Sequence, residues 1–131
     1  MRNGGYGALL FVIVTASVLL QFLLISNYGY LDFRKELNRY VDEQQSMYSA
    51  KSCLHIALLF LAEDFTYRQT YEFKEDRISC SILSMSDTSS LGGTKTVEIQ
   101  TEGIYKDATT TLRSIVEVQD LDLHILSTKK I

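Results

Sequence analysis

Hydrophobic positions follow three different patterns along this chain, and each pattern predicts one kind of element. Residues 8–25 carry no charge, and thirteen of these eighteen residues are Leu, Ile, Val or Phe. As a helix, the run extends about 27 Å at 1.5 Å per residue, close to the roughly 30 Å hydrocarbon core of a bilayer. The apolar side chains outweigh Thr15, Ser17 and Gln21, so the run can span a membrane.

The second pattern is that of an amphipathic helix, predicted over residues 30–62. Large apolar residues recur there three or four positions apart, with charges between them. Residues 26–29 include the weak helix formers Asn27 and Gly29, so a bend or a locally melted turn is predicted between the two helical segments. The alternative is one continuous helix of about 55 residues, since no proline stops it. The predicted apolar stripe consists of Leu31, Phe33, Leu37, Tyr40, Val41, Met47, Tyr48, Leu54, Leu58 and Leu61.

The third pattern is strand-like alternation, which predicts a sheet over about residues 69–126. The segments QTYEFKE, RISCSILSM, TKTVEIQTEGIY and ATTTLRSIVEVQ alternate apolar and polar residues. Turn residues separate the later segments, first around Gly92 and Gly93 and then at Lys106 and Asp107. Four strands with short links predict an antiparallel meander with one apolar face. The tail LDLHILSTKKI is a candidate fifth strand at the sheet edge.

Together these patterns predict an α+β fold. A long N-terminal α-helix, half membrane-spanning and half amphipathic, packs on a four- to five-stranded antiparallel β-meander. A chain of 131 residues has room for this one domain and helix. The net charge of −3 and the scattered basic residues argue against nucleic acid as a partner, because phosphate binding needs a concentrated positive face.

Two cysteines, Cys53 and Cys80, are the number that a single disulfide requires in an exported domain. If they bond, the closed loop of about 28 residues stabilises the domain by roughly 3.5 kcal/mol. The alternative is two buried thiols that do not meet. Their spacing fits no metal motif, since zinc ligands come in closely spaced pairs.

The sequence predicts no enzyme, with no catalytic residue, no metal site and no cofactor site. His55 follows Cys53 by two positions, and residues two apart on a helix point in different directions, which argues against a nucleophile and base. A glycan or calcium ion on the serine- and threonine-rich residues 84–90 is an alternative to a plain exposed loop. The remaining candidates are predicted to lie on the solvated surface: His124, Glu63 with Asp64, and Asp120 with Asp122.

The N-terminal junction GGYGALL, followed by a helix and then a sheet, resembles the type IV pilins and the pilin-like subunits of type II secretion. The match is strongest with minor pilins whose start is similar to GYALL before a long apolar helix. The resemblance implies that a prepilin peptidase cuts between Gly5 and Tyr6 on the cytoplasmic side, which makes Tyr6 the methylated N-terminus. A cut between Gly4 and Gly5 is the alternative.

The same resemblance implies a leader over residues 1–5, a membrane and filament-core helix over residues 6–29, and a globular pilin-like domain over residues 30–131. The implied partners are copies of the chain or other pilins, the prepilin peptidase, the inner-membrane assembly platform and membrane lipid. The resemblance also implies that the N-terminus is cytoplasmic before assembly and that the subunit is part of an extracellular filament afterwards. The residues expected to pack in the filament core are Leu9, Leu10, Phe11, Ile13, Val14, Leu20 and Phe22.

Two positions depart from the pattern of major pilins. Leu10 stands where major pilins carry a glutamate, five residues into the mature chain, and this departure implies a minor, initiating or tip subunit. The proline that bends many pilin helices is also missing, and Asn27 and Gly29 stand near its place.

Two other functions remain as alternatives. One is a single-pass membrane-anchored extracytoplasmic binding or sensor domain. The other is an exported enzyme with a cleaved signal peptide, for which residues 26–29 give no convincing cleavage site. One positive charge, Arg2, precedes the apolar run, whereas Arg34, Lys35 and Arg39 follow it. This charge bias predicts that the C-terminal side lies in the cytoplasm, which opposes the pilin orientation.

Overall fold

The computed structural model of the chain describes residues 4–89, 94–119 and 122–131. Neighbouring strands pair antiparallel in the order of the sequence. The helix packs on this five-stranded sheet, so the predicted α+β fold is confirmed. The elements of the described residues are α1 Gly4–Glu63, β1 Tyr71–Glu75, β2 Ile78–Ser89, β3 Lys95–Tyr105, β4 Ala108–Gln119 and β5 Asp122–Lys130.

The chain divides into two compact units, one ending at Asn38 and the other comprising Arg39–Ile131. We call the second unit the sheet domain. It contains all five strands and the part of α1 that packs on them.

α1 remains helical through residues 26–29. The predicted locally melted turn is therefore wrong, and the alternative of one continuous helix is correct. Gly29 costs about 1 kcal/mol relative to alanine, but it removes no backbone hydrogen bond, whereas proline would remove one. A short run of weak helix formers does not by itself end a long helix.

α1 ends at Glu63, next to a polar turn made by Asp64. The Asp64 carboxylate accepts a hydrogen bond from the Thr66 hydroxyl at 2.6 Å and another from the Thr66 backbone N–H at 2.9 Å. The hydroxyl bond, followed by the amide bond, lowers the pKa of Asp64. Both Glu63 and Asp64 are exposed, as predicted.

The helix face that packs on the sheet differs from the predicted stripe of large apolar residues. The buried positions recur three or four apart, as an amphipathic helix requires, but most of them are small. Of the predicted stripe, Leu54 and Leu61 are buried, whereas Tyr40 and Tyr48 each keep 60% of their surface exposed. Leu31, Phe33, Leu37 and Val41 are exposed as well. The buried helix residues are Ser46, Ser49, Ala50, Cys53, Leu54, Ala57 and Leu61.

Small residues face the sheet because Gly103 of β3 lies directly against the helix backbone. A Cβ atom at Gly103 would lie 2.2 Å from the backbone N of Ala50 and 2.2 Å from the backbone O of Ser46. Ser46 Oγ and Thr110 Oγ1 hydrogen-bond at 2.7 Å, and Thr101 Oγ1 donates to the Ala50 carbonyl at 3.0 Å. Buried hydroxyls thus take the place of apolar packing where the helix approaches the sheet most closely.

The apolar core lies further along the helix, towards its C-terminal end. There Phe60 forms aromatic contacts with Tyr67 and Tyr71 at centroid distances of 4.9 and 5.6 Å. The strands contribute β-branched residues at alternate positions, as expected for the covered face of an antiparallel sheet. The core cluster consists of Leu54, Ala57, Leu61, Ile82, Met85, Val97, Ile99 and Val116.

β2 reaches Ser89, so residues 84–89 belong to a strand and the predicted exposed loop is wrong there. Asp87 pairs with Val97, and Ser89 pairs with Lys95. β3 offers main-chain hydrogen bonds along this whole length, and this pairing outweighs the turn propensity of serine and aspartate.

The predicted tight turn between the third and fourth strands is confirmed. Lys106 has φ 51°, the left-handed conformation that closes such turns, and β4 begins directly after Asp107. Ser90, Gly92 and Gly93 lie outside the described residues.

β5 confirms the candidate fifth strand and extends beyond the predicted end of the sheet. It pairs with β4 as far as Lys130, which stands opposite Leu112. Asp122 and His124 are exposed, as predicted, and Asp120 lies outside the described residues.

The sheet face opposite α1 carries an ion pair between β3 and β4. Arg113 Nη2 donates to Glu98 Oε2 at 2.6 Å, and Gln100 Nε2 donates to Glu98 Oε1 at 3.1 Å. The bond from Arg113, followed by that from Gln100, lowers the pKa of the Glu98 carboxyl.

We expect Arg113→Met to raise the pKa of Glu98, because the substitution removes the strongest donor to that carboxylate. A carboxyl whose pKa is depressed by folding contributes stability above its unfolded-state pKa, and that contribution is lost as pH falls through the folded-state pKa. Carbon-detected NMR titration of Glu98 measures the shift directly. Gln100→Leu is the matched control and should raise the pKa less. An unchanged Glu98 titration in Arg113→Met would contradict the assignment.

Candidate functional site: an exposed apolar helix segment

The candidate functional surface is the stretch of α1 formed by residues 8–25, which we call the apolar segment. α1 is long and apolar enough to cross a membrane, and an 18-residue window near its N-terminus has a mean hydropathy of 2.7. None of that window is buried within the described structure. Exposed apolar surface of this extent marks a site that lipid or another protein covers.

Two of the polar side chains in the apolar segment hydrogen-bond to their own helix. Thr15 Oγ1 lies 2.9 Å from the Phe11 carbonyl and 3.0 Å from the Val12 carbonyl. Ser17 Oγ donates to the Val14 carbonyl at 2.8 Å. The donors of these two hydroxyls are therefore satisfied when the segment lies in an apolar environment.

The large side chains of the apolar segment are exposed around the whole helix. They keep between 45% of their surface, at Leu10, and 72%, at Phe22. A helix that is apolar on every face is suited to the membrane interior or to the centre of a helix bundle, rather than to the surface of a soluble domain. The residues predicted to pack in a filament core all belong to this exposed set: Leu9, Leu10, Phe11, Ile13, Val14, Leu20 and Phe22.

The predicted processing junction lies in the first turns of α1. Tyr6 is 73% exposed, and nothing lies within 4 Å of a Cβ atom built on Gly5. Arg2 lies outside the described residues. The bond between Gly5 and Tyr6 is thus free of tertiary packing in the described structure.

Cys53 and Cys80 form a disulfide that joins α1 to β2, and the alternative of two separate thiols is excluded. Their Cα atoms are 5.8 Å apart, and both residues are buried. Because Cys53 is bonded, it offers His55 no thiol, and His55 itself is exposed. A nucleophile and base pair is therefore absent at these two residues.

No protein-family model matches the chain, and no curated protein or solved structure matches it.

Among the described residues, no group of three or more His, Cys, Asp or Glu side chains is placed to hold a metal ion. The apolar segment remains the candidate functional surface.

Proposed function

We propose that the chain is a structural subunit, a pilin or minor pilin, of a type IV pilus or a related filament. One observation carries the proposal. The same helix that exposes an apolar segment on every face also packs on the sheet and is bonded to it through Cys53 and Cys80. A membrane-competent segment thus continues along the chain into a helical part that is bonded to a folded domain.

The proposal assigns the apolar segment two successive environments. Before assembly it lies in the inner membrane, where lipid tails cover all its faces. After assembly it packs against the corresponding helices of other copies or of other pilins. The two environments are similarly apolar, so the transfer between them does not expose the segment to water.

The disulfide supports the membrane orientation that the proposal assigns. Disulfides form and persist in oxidising compartments outside the cytoplasm. The disulfide therefore supports a sheet domain outside the cytoplasm and an N-terminus inside, against the charge bias of Arg34, Lys35 and Arg39 after the apolar segment. Leu10, an apolar residue where major pilins carry glutamate, supports a minor or initiating role in the filament.

Processing by a prepilin peptidase is the first test, and we expect removal of residues 1–5 with N-methylation of Tyr6. Intact mass and N-terminal sequencing of the chain, from cells with and without the peptidase, measure both changes. An unprocessed start in cells with a working peptidase would overturn the proposal.

Gly5→Val should block this processing. Valine fits at Gly5 because nothing surrounds its Cβ position, so a loss of cleavage reports on the peptidase rather than on folding. Gly7→Val, at a similarly open position, is the matched control and should still be cut. If Gly4→Val blocks cleavage and Gly5→Val does not, the cut lies one residue earlier.

Filament assembly is the second test. Sheared surface filaments should contain the processed chain, detected by mass spectrometry and electron microscopy. If detergent instead extracts discrete monomers and sheared filaments contain none, the chain is an anchored binding or sensor domain.

A further inference from the structure

Gln21 is the one polar side chain of the apolar segment that its own helix leaves unsatisfied. Thr15 and Ser17 bond to nearby carbonyls, but no hydrogen bond to the Gln21 amide occurs within the described residues. The side chain is exposed. A carboxamide offers two N–H donors and a carbonyl acceptor, and all of them face hydrocarbon when the segment is inserted.

The direction of the Gln21 side chain keeps its amide from reaching the water at the membrane surface. Ile25, the last residue of the apolar segment, follows four positions later, about 6 Å along the axis. Side chains on an α-helix tilt towards the N-terminus, so the Gln21 amide points away from that nearer end and into the segment. Lipid tails supply no hydrogen-bond partner, and an unsatisfied polar group there is costly.

We infer that Gln21 hydrogen-bonds to Gln21 of a second copy of this chain within the membrane, pairing two apolar segments before any filament forms. The amide is self-complementary, because the donor of one copy meets the acceptor of the other. Ser17 lies one turn earlier on the same helix face, and its small side chain lets two helix backbones approach closely.

The pairing stripe is narrow and defined. It contains Ser17, Gln21 and Leu24, which follow each other at helical spacing, whereas Leu23 lies on the opposite side of the helix. The inference rests on the membrane insertion included in the proposed function, but it does not require filament assembly or processing.

Energy transfer in vesicles tests the pairing. Full-length chain, labelled separately with donor and acceptor dyes, is reconstituted in phosphatidylcholine vesicles, and transfer is measured while the ratio of protein to lipid is lowered. Gln21→Leu should weaken dimerisation about fivefold to thirtyfold, the range of a single interhelical hydrogen bond in model peptides. Gln21→Asn keeps the amide and should retain pairing.

Thr15→Val is the matched control. Its hydroxyl is satisfied within the helix, so its loss should leave the dimerisation constant unchanged. A photoreactive residue at position 24 should cross-link two copies, and one at position 23 should not.

Two failures can be told apart. If the wild-type chain does not float with the vesicles, membrane insertion fails and the proposed function falls with the pairing. If the wild-type chain floats but Gln21→Leu shows the same transfer at every dilution, the pairing alone is overturned. Equal cross-linking from positions 23 and 24 would overturn it as well.

Discussion

Gly103→Ala should destabilise the sheet domain by about 3 kcal/mol, the upper part of the usual cost of overpacking a close contact. The added Cβ would lie 2.2 Å from two backbone atoms of α1, on Ala50 and Ser46. A flexible side chain can rotate away from such a clash, but a helix backbone cannot. The helix must therefore move as a body, and the hydrogen bond between Ser46 and Thr110 lengthens with it.

Urea unfolding of the full chain in mild detergent measures this effect. Five of the eight tyrosines lie in the sheet domain and the chain has no tryptophan, so tyrosine fluorescence and near-ultraviolet circular dichroism report mainly on this domain. Gly29→Ala is the matched control, since nothing lies within 4 Å of its Cβ position. It should not lower the unfolding midpoint, because replacing a helical glycine by alanine favours the helix by about 1 kcal/mol. Equal midpoints for Gly103→Ala and the wild type would contradict the close contact.

The strands were largely predictable because alternation encodes them directly. Val97, Ile99 and Val116 are completely buried, and polar residues separate them in the sequence. A period of two places alternate side chains on opposite faces, so the covered face can be recognised without knowing its partner. The strand was missed over residues 86–89 because their serines and aspartate signal a turn, while the pairing with β3 that holds them extended is non-local.

The helix was predictable, but the face that packs on the sheet was not. Large apolar residues such as Tyr40 and Tyr48 mark a helix by their spacing, yet they remain exposed. Periodicity identifies which residues share a face and not what covers that face. The small residues Ser46, Ala50 and Ala57 recur at the same helical spacing, and they mark the face that packs on the sheet. That face can be recognised only from its contact with Gly103, which is 53 positions from Ala50 in the sequence.

The apolar segment was predictable from composition alone, and its exposure follows from the same composition. Its unsatisfied amide at Gln21 was not, because a sequence shows three polar residues without showing which of them bond to their own helix. The hydroxyls of Thr15 and Ser17 reach carbonyls three or four residues back. The longer amide of Gln21 makes no such bond in the described structure, and that difference separates a tolerated polar residue from an interaction site.

The second large effect is expected from the disulfide. Replacing both Cys53 and Cys80 by alanine should lower the free energy of unfolding by about 3.5 kcal/mol, because the unfolded chain regains the freedom of a loop of roughly 28 residues. This is a large share of the 5–15 kcal/mol that typically stabilises a domain. The double replacement leaves no free thiol that could form mixed disulfides. It also removes two buried sulfur atoms, so the measured change includes a packing loss in addition to the lost link.

Reduction provides the matched control for this prediction. A reducing agent should lower the urea midpoint of the wild-type chain to nearly that of the double variant and should leave the variant unchanged. Because Cys53 and Cys80 are buried, reduction should be slow in the folded state and fast once urea opens the sheet domain. If the wild type and the double variant have the same free energy of unfolding under oxidising conditions, the disulfide does not stabilise the domain. Packing and the buried hydroxyl hydrogen bonds around Gly103 would then be what holds α1 on the sheet.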